Sequence, residues 1–208
     1  MDTRTDIING ALDYLDEPEV RGEPDSAELL GRSLQSAAFR RYSSALDDLL
    51  RRRAWSWAMR YEQFAAHVGP ATDREAEFKT LIELPEGLIK VIAVNDDPEL
   101  RWARRAGEAG SAAGLLGVNA DAPVRVRYVL RPDEAHMPAD FKLALAAHLA
   151  QLVSARASDI SGATRQGIAQ DARRLYGQAA INDGAEGGAA LTRPFGEDES
   201  PMLNEAFS

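Results

Sequence analysis

The feature that most constrains the fold is a stretch of strong helix formers from Pro138 to Arg156, which no glycine or proline interrupts after its first residue. Ala144, Ala147 and Ala150 widen its apolar face, so that a neighbouring helix could approach closely. Because such a helix is not stable alone in water, we expect it to be the central helix of the fold. Its larger apolar residues recur at steps of three and four: Phe141, Leu145, Leu149, Leu152 and Val153.

Helical patterns also flank this element on both sides. A short amphipathic helix is predicted over residues 2–16, and an acidic linker rich in proline and glycine follows over 17–25. A long apolar stripe then predicts a helix that is capped by Asp25 or Ser26 and runs to about Arg53. A further helix is predicted from about Thr164 to Asn182.

The middle of the chain carries the signals of β-strands, because apolar or aromatic residues alternate with small or charged ones. The segments over 76–83 and 88–94 are expected to be hinged by Pro85 and Gly87. Trp102 is expected to point inward. The predicted strands span residues 54–61, 76–83, 88–94, 100–106 and 124–130.

Residues 107–119 are rich in glycine, alanine and serine, which predicts an exposed loop or a loose hairpin. Gly107, Gly110 and Gly114 are the residues that mark this exposed loop. Their spacing matches neither a dinucleotide fingerprint nor a nucleoside triphosphate loop, and no Lys-Ser or Lys-Thr pair follows them. A structural loop is therefore favoured over a phosphate site.

Helices, then strands, then helices predict an α+β fold, in which a bundle of about four helices carries a small antiparallel β-sheet inserted between its halves. We expect one domain over residues 1–183, of which 1–25 form the N-terminal helix and linker. Residues 184–208 are rich in glycine, acidic residues and proline, and predict an extended acidic C-terminal arm.

Composition narrows the function. The chain of 208 residues has a formal net charge of −9, which argues against a general nucleic-acid binder. It contains no cysteine, so disulfides and thiolate metal sites are ruled out. The start lacks the pattern of a secretory signal, and no apolar run is long enough for a membrane helix. We therefore expect a cytosolic protein that does not bind a membrane.

Catalytic chemistry is hard to find in the sequence. The three histidines, His67, His136 and His148, form no zinc motif, and we expect His148 to be a core or edge residue. There is no Gly-x-Ser-x-Gly or Ser-x-x-Lys motif. We accordingly predict no catalytic, cofactor-binding or metal residue and no enzyme activity. A weaker alternative is an enzyme whose site is assembled from residues distant in sequence.

The best candidate surface is the arginine run Arg51, Arg52 and Arg53, with Trp55 and Trp57 close behind it. In one interpretation the arginines bind nucleic acid and the tryptophans stack on bases. In the favoured one the tryptophans are core residues and the arginines form a solvated helix end. In a third the arginines meet acidic residues of a partner or of a neighbouring copy.

Four motifs in a fixed order resemble the head-to-tail adaptor family of tailed phages and gene-transfer particles, which includes the tail tubular protein A group. The first is the tryptophan segment 54–58 after a long helix, and the second is Ile82–Val91, with its Leu-Pro, acidic turn and following strand. The third is the strand 124–130 leading into the alanine-rich helix from Pro138. The fourth is Ala179–Asp183, where a helix ends.

The resemblance implies a ring of identical subunits, expected to be a dodecamer, that docks under a portal protein and receives a downstream tail or stopper protein. Such a ring surrounds DNA that passes through its channel without sequence-specific binding, at the head–tail junction of a virion assembled in the bacterial cytoplasm. The alternative from another class is a DNA-binding or packaging accessory protein that uses Arg51, Arg52 and Arg53.

The C-terminal arm ends in a small apolar cluster behind an acidic lead. We expect Met202, Leu203 and Phe207 to anchor in a groove of a partner, with the acidic linker supplying reach. Such a segment would order on binding, at a cost in entropy. A terminus that contacts nothing is the equally weighted alternative.

Overall fold

The computed structural model describes residues 3–22, 33–66, 78–105, 114–155, 157 and 160–187. Within these ranges the helices are α1 (Arg4–Asp13), α2 (Leu34–Arg52), α3 (Ala139–Ser154) and α4 (Gly162–Gly187). The strands are β1 (Met59–Phe64), β2 (Thr80–Glu83), β3 (Leu88–Val94), β4 (Trp102–Arg105), β5 (Leu115–Val118) and β6 (Val124–Leu130). Short 3-10 helices, Ser56–Ala58 and Glu134–His136, precede β1 and α3. The predicted α+β class is confirmed.

The strands form two antiparallel sheets of three strands each. The first sheet has the order β1-β6-β3 and the second has the order β2-β5-β4. The turn between β2 and β3 therefore carries the chain from one sheet to the other. Gly87 lies in this turn with a φ of 76°, a backbone conformation that residues with a side chain rarely adopt. The predicted hinge at this position therefore requires glycine.

The first sheet lies between the helices and the second sheet, because its side chains alternate between two cores. Ile89 and Val129 are buried against the helices. Val124, Val126 and Tyr128 are buried in the other core with residues of the second sheet, among them Leu116. Because successive side chains of a strand point to opposite faces, the first sheet packs against the helices on one face and against the second sheet on the other.

Helix α3 is the centre of the helical layer, as predicted, and it contacts α1, α2 and α4. Every residue from Ala144 to Ala150 is buried, including the three alanines of the apolar face. Small side chains on α3 allow the close approach of α4. Each large apolar side chain buried here contributes about 1.5–3 kcal/mol.

The helix ends are set by local caps. Thr3 and Asp6 form a capping box at the start of α1, in which each side chain accepts from the other's backbone N–H. Ser33 caps α2 from an extended conformation. A single helix from Asp25 or Ser26 is therefore wrong, since Ser33 interrupts it, and those two residues lie outside the described ranges. Helix α4 continues through Gly187, into the segment predicted as an arm.

Three strand predictions need correction. Residues 56–58 form a 3-10 helix, so the strand predicted over 54–61 begins only at Met59. Residues 115–118 lie in the stretch predicted as an exposed loop or a loose hairpin, and they form β5, the central strand of the second sheet. The antiparallel pairing of β5 with β4 agrees with the hairpin alternative, although the strand itself was not predicted. Trp102, which was expected to point inward, is 37% exposed because it lies on the edge strand β4. Its cross-strand partner Val118 is buried.

Candidate functional site

The three arginines at the end of α2 do not form one free basic patch. Nη2 of Arg52 lies 2.6 Å from Oδ2 of Asp48, one turn back on the same helix. Nε of Arg53 lies 3.2 Å from Oδ2 of Asp183 on α4. Arg51 is exposed. Because carboxylates of the same chain offset two of the three charges, the patch is weaker as a nucleic-acid site than the sequence suggested.

Asp183 is a buried carboxylate that joins three parts of the helical layer. Its Oδ1 accepts hydrogen bonds from the backbone N–H of Ser56 at 2.8 Å and from the Ser56 hydroxyl at 2.5 Å. Its Oδ2 accepts from Arg53. Sequence reasoning placed Asp183 only at a helix end. No local pattern distinguishes Asp183 from a solvated acidic residue, because its partner Ser56 is 127 positions away in the chain.

Trp55 is a core residue, as the favoured interpretation held. It is fully buried, and its indole N–H donates to the carbonyl oxygen of Leu49 at 2.9 Å. Its ring meets the edges of Phe141 at 4.9 Å and Tyr176 at 5.7 Å between centroids. A ring enclosed on these sides cannot stack on a base.

Trp57 lies differently, because it is only half-buried. Its ring contacts Phe141 at 4.7 Å between centroids. It also lines an open groove of about 450 Å³. We call it the second groove, to distinguish it from the first groove beside β1 that is described below. Its other lining residues are Arg60, Leu130, Arg131, Pro132, Asp133 and His136. Of the two tryptophans, only Trp57 can therefore contact a partner.

His148 is buried on α3, as expected of a core histidine. Its Nε2 lies 2.8 Å from Oδ2 of Asp48, although the contact lacks the direction of a hydrogen bond. Burial lowers the pKa of His148, Arg52 lowers it further, and Asp48 partly opposes both. The ring is therefore neutral at pH 7. His136 is exposed beside Asp133, and His67 lies outside the described ranges.

The edge strand β1 carries the most open surface of the first sheet. Its four central residues, 60–63, are all exposed, and Tyr61 is 54% exposed. The Tyr61 hydroxyl donates to Asp96 at 3.1 Å, and Arg127 lies 2.6 Å from the same carboxylate. Asp96 has a positive φ and lies in the turn that follows β3. The groove of about 250 Å³ lined by Met59, Arg60, Tyr61 and Arg127 is here called the first groove.

The opposite face of β1 is tied to β6. The Tyr128 hydroxyl donates to Oε2 of Glu62 at 2.7 Å. Burial, with the Glu62 hydrogen bond and charge, raises the pKa of Tyr128 to about 12. Tyr128 thus remains protonated and keeps donating across the physiological range. These ties hold β1 in place while its outer edge stays open.

The other predicted site residues lie mostly outside this surface. Gly114 is described, and its carbonyl oxygen accepts from the backbone N–H of Leu84 at 2.8 Å, so it continues the sheet and does not mark a loop tip. Gly107 and Gly110 lie outside the described ranges. So do the proposed anchor residues Met202, Leu203 and Phe207.

Among the described residues, no three histidine, aspartate or glutamate side chains gather where they could hold a metal ion. Within the same ranges, no helix has the length and apolar character to cross a membrane. No protein-family model matches the chain, and no curated protein matches it.

Proposed function

We propose that the chain is a structural virion adaptor that forms a ring under a portal protein and joins a DNA-filled head to the tail. The ring lines the DNA exit channel and passes DNA without sequence-specific binding. A downstream tail or stopper protein docks on its far side. The site of action is the head–tail junction of a particle assembled in the bacterial cytoplasm.

The observation that supports the proposal best is where the residues that carry the resemblance lie in the fold. Trp55 is buried at the centre of the helical layer. The turn around Pro85 and Gly87 joins the two sheets. Asp183 ties the end of α4 to the start of the segment that leads into β1. These motif residues thus lie inside the helical layer or where elements of the fold join, which supports a structural role for them.

A ring needs two different surfaces that meet between neighbouring copies. The chain offers an exposed arginine at the end of α2 and an acidic C-terminal arm, which are of opposite charge. The net charge of −9 also favours a channel wall that repels DNA and lets it slide. Met202, Leu203 and Phe207 anchor the arm in a partner.

The decisive experiment is electron-microscope imaging of the purified chain, alone and with portal-containing particles. We expect closed rings of identical subunits in at least one of the two samples. A chain that stays monomeric alone and never associates with the particles would contradict the proposal. Deleting Ser200–Ser208 should then lower incorporation into particles, and unchanged incorporation would remove the anchor from the proposal.

The second candidate function is a DNA-binding or packaging accessory protein. Two observations favour it: Arg51 remains exposed, and so do Arg101, Trp102 and Arg104 around β4. Phosphate contacts release counterions, so retention on DNA should fall steeply with salt if this function is correct. Arg51→Ala should then weaken retention, while the acidic surface variant Glu86→Gln serves as a control that removes no positive charge. Absence of retention even at low salt would exclude this candidate.

A further inference from the structure

One of the strand edges that the described part of the chain leaves without a partner is the outer edge of β1. In the described part of the chain, β1 pairs with β6 alone. The strand has six residues and contains neither proline nor glycine. An edge of this kind presents unpaired N–H and C=O groups, and proteins usually protect it. An open, regular edge is therefore a template for one more strand.

Two grooves lie beside this strand, and Arg60 lines both of them. Met59 and Tyr61 point to one face of β1 and line the first groove. Arg60 pairs with Tyr128 on β6, and Leu130, two residues further along β6, lines the second groove together with Trp57. A peptide added at a sheet edge gains main-chain hydrogen bonds, and pockets for its alternate side chains give specificity. The edge of β1 has both features.

Arg60, which lines both grooves, favours an acidic and apolar occupant, although Asp133 also lines the second groove. Each groove has apolar walls, formed by Met59 and Tyr61 in one and by Trp57 and Leu130 in the other. Arg60 stands between them, and its Nη1 donates to the carbonyl oxygens of Met59 at 2.9 Å and Trp57 at 3.2 Å. Those bonds leave its charge without a carboxylate partner in the described ranges.

The C-terminal segment of this chain has the matching composition. In a strand, Met202 and Ala206 would point to one face, and Leu203 and Phe207 to the other, with Glu205 between the last two. Apolar side chains on both faces suit two grooves. The segment follows three acidic residues, Glu197, Asp198 and Glu199. The one basic residue shortly before them is Arg193.

The end of the described chain lies close to the edge. Asp183 binds Ser56, which begins the 3-10 helix that leads into β1, and α4 ends one turn later at Gly187. Residues 188–201 can span up to about 45 Å when extended. That reach allows the terminal segment to extend beyond its own subunit.

We infer that the edge of β1 is the docking site for the segment Met202–Phe207 of a second copy of this chain, which adds to the first sheet as a further strand. The inference rests on the proposed ring and identifies the partner of the C-terminal anchor. The contact is heterologous, since a strand edge on one subunit receives a terminal segment of the next. Repeated around an axis, it closes a ring.

Disulfide mapping tests this contact directly, because the chain contains no cysteine. One full-length variant carries Gln63→Cys on β1, and a second, tagged to differ in mass, carries a cysteine at one position from Met202 to Glu205. The two are mixed under conditions in which imaging shows rings and are then oxidised. A control mixture replaces Gln63→Cys with Arg173→Cys, which is exposed on α4.

We expect a disulfide-linked heterodimer from Gln63→Cys at a yield at least about tenfold above the Arg173→Cys control, since docking raises the local concentration of the thiols. Adding Phe207→Asp to the tail variant should lower that yield about tenfold, because a charge replaces an apolar contact. The matched change Thr192→Asp, in the same arm but outside the segment, should leave it nearly unchanged.

The outcomes separate this inference from the proposed function. Rings that form with equal yields from Gln63→Cys and Arg173→Cys would overturn the docking site and leave the adaptor proposal standing. A double-cysteine chain that closes only an intramolecular disulfide would show that the segment occupies its own β1, which also overturns the inference. Failure to form rings under any condition would overturn both.

Discussion

The helical layer and the two-sheet block of this protein are stabilised in different ways. In the helical layer, α3 is surrounded by three helices, and Trp55 and Asp183 bond to backbone groups deep between them. In the sheet block, strands of four to seven residues enclose a smaller core and leave edges open. The helical layer therefore provides rigidity, and the sheet block provides surfaces for contact.

The physical reason lies in where backbone hydrogen bonds are made. A helix satisfies its own N–H and C=O groups, so a bundle can bury its side chains and present a closed surface. A strand needs a neighbour on each side, and among the described residues β1, β3, β2 and β4 are each paired on one side only. An adaptor needs both properties in one subunit.

The largest expected effect tests the helical layer. Trp55→Ala should lower the free energy of unfolding by about 3–5 kcal/mol, because it removes a buried ring and leaves a cavity. Urea unfolding followed by far-UV circular dichroism measures this change. Trp57→Ala, at a half-buried site two residues away, should cost clearly less. Equal losses from the two variants would contradict the assignment of Trp55 as the core residue.

Asp183→Ala should destabilise the helical layer by about 1–3 kcal/mol, because it leaves partly buried donors of Ser56 and Arg53 without an acceptor. Asp171→Ala on the same helix is the matched control. Asp171 pairs with Arg174 at 3.1 Å near the surface, where an ion pair contributes about 0–1 kcal/mol. Chemical unfolding of both variants should separate the two values, and a similar small loss for both would show that Asp183 is not a tie.

A pair of glycine substitutions compares the two halves of the molecule. A Cβ at Gly117 on β5 would lie 2.4 Å from Cδ2 of Phe78, so Gly117→Ala should cost about 1–3 kcal/mol through overpacking. A Cβ at Gly167 on α4 meets nothing within 4 Å, so Gly167→Ala should stabilise by about 0.5–1 kcal/mol. Thermal unfolding should therefore shift in opposite directions, and shifts of the same sign would refute the contrast.

The smallest effect concerns pH. The pKa of His148 is lowered from 6.5 by burial and then by Arg52, with Asp48 opposing. The unfolded chain therefore takes up a proton near pH 6.5 that the folded chain does not bind, so stability should fall as the pH drops below that value. Urea unfolding between pH 7 and pH 5 measures the fall. The slope should be shallower for His148→Gln, and an unchanged slope would assign the pH dependence to other groups.

Most of the helical layer was predictable from periodicity. The central helix, its flanking helices and the strands 88–94 and 124–130 follow from side-chain spacing. The errors were local. Sequence reasoning extended α2 through Ser33, whose side chain caps the helix, and it missed β5, whose Leu115–Val118 run lies next to residues typical of loops. Short apolar runs do not distinguish a strand from a loop, because pairing across the sheet decides it.

The candidate site was less predictable. The arginine run from Arg51 to Arg53 was visible in the sequence. The ion pair between Arg52 and Asp48 joins adjacent turns of one helix. The ion pair between Arg53 and Asp183 joins residues far apart in the chain, so local spacing does not indicate it. The open edge of β1 could not be predicted, because an edge is defined by the strand order, and the strand order follows from non-local pairing. The two grooves beside β1 likewise depend on β6 and on the segment that leads into α3.

The sequence by itself determined the α+β class and the apolar face of α3, since these follow from local spacing and side-chain size. It favoured a core position for both tryptophans, and only the structure distinguished the buried Trp55 from the half-buried Trp57. Only the tertiary structure decided that β2 and β3 belong to different sheets and that Asp183 closes the helical layer onto the start of β1. Those features depend on contacts between residues far apart in the chain, whose energies no local pattern records.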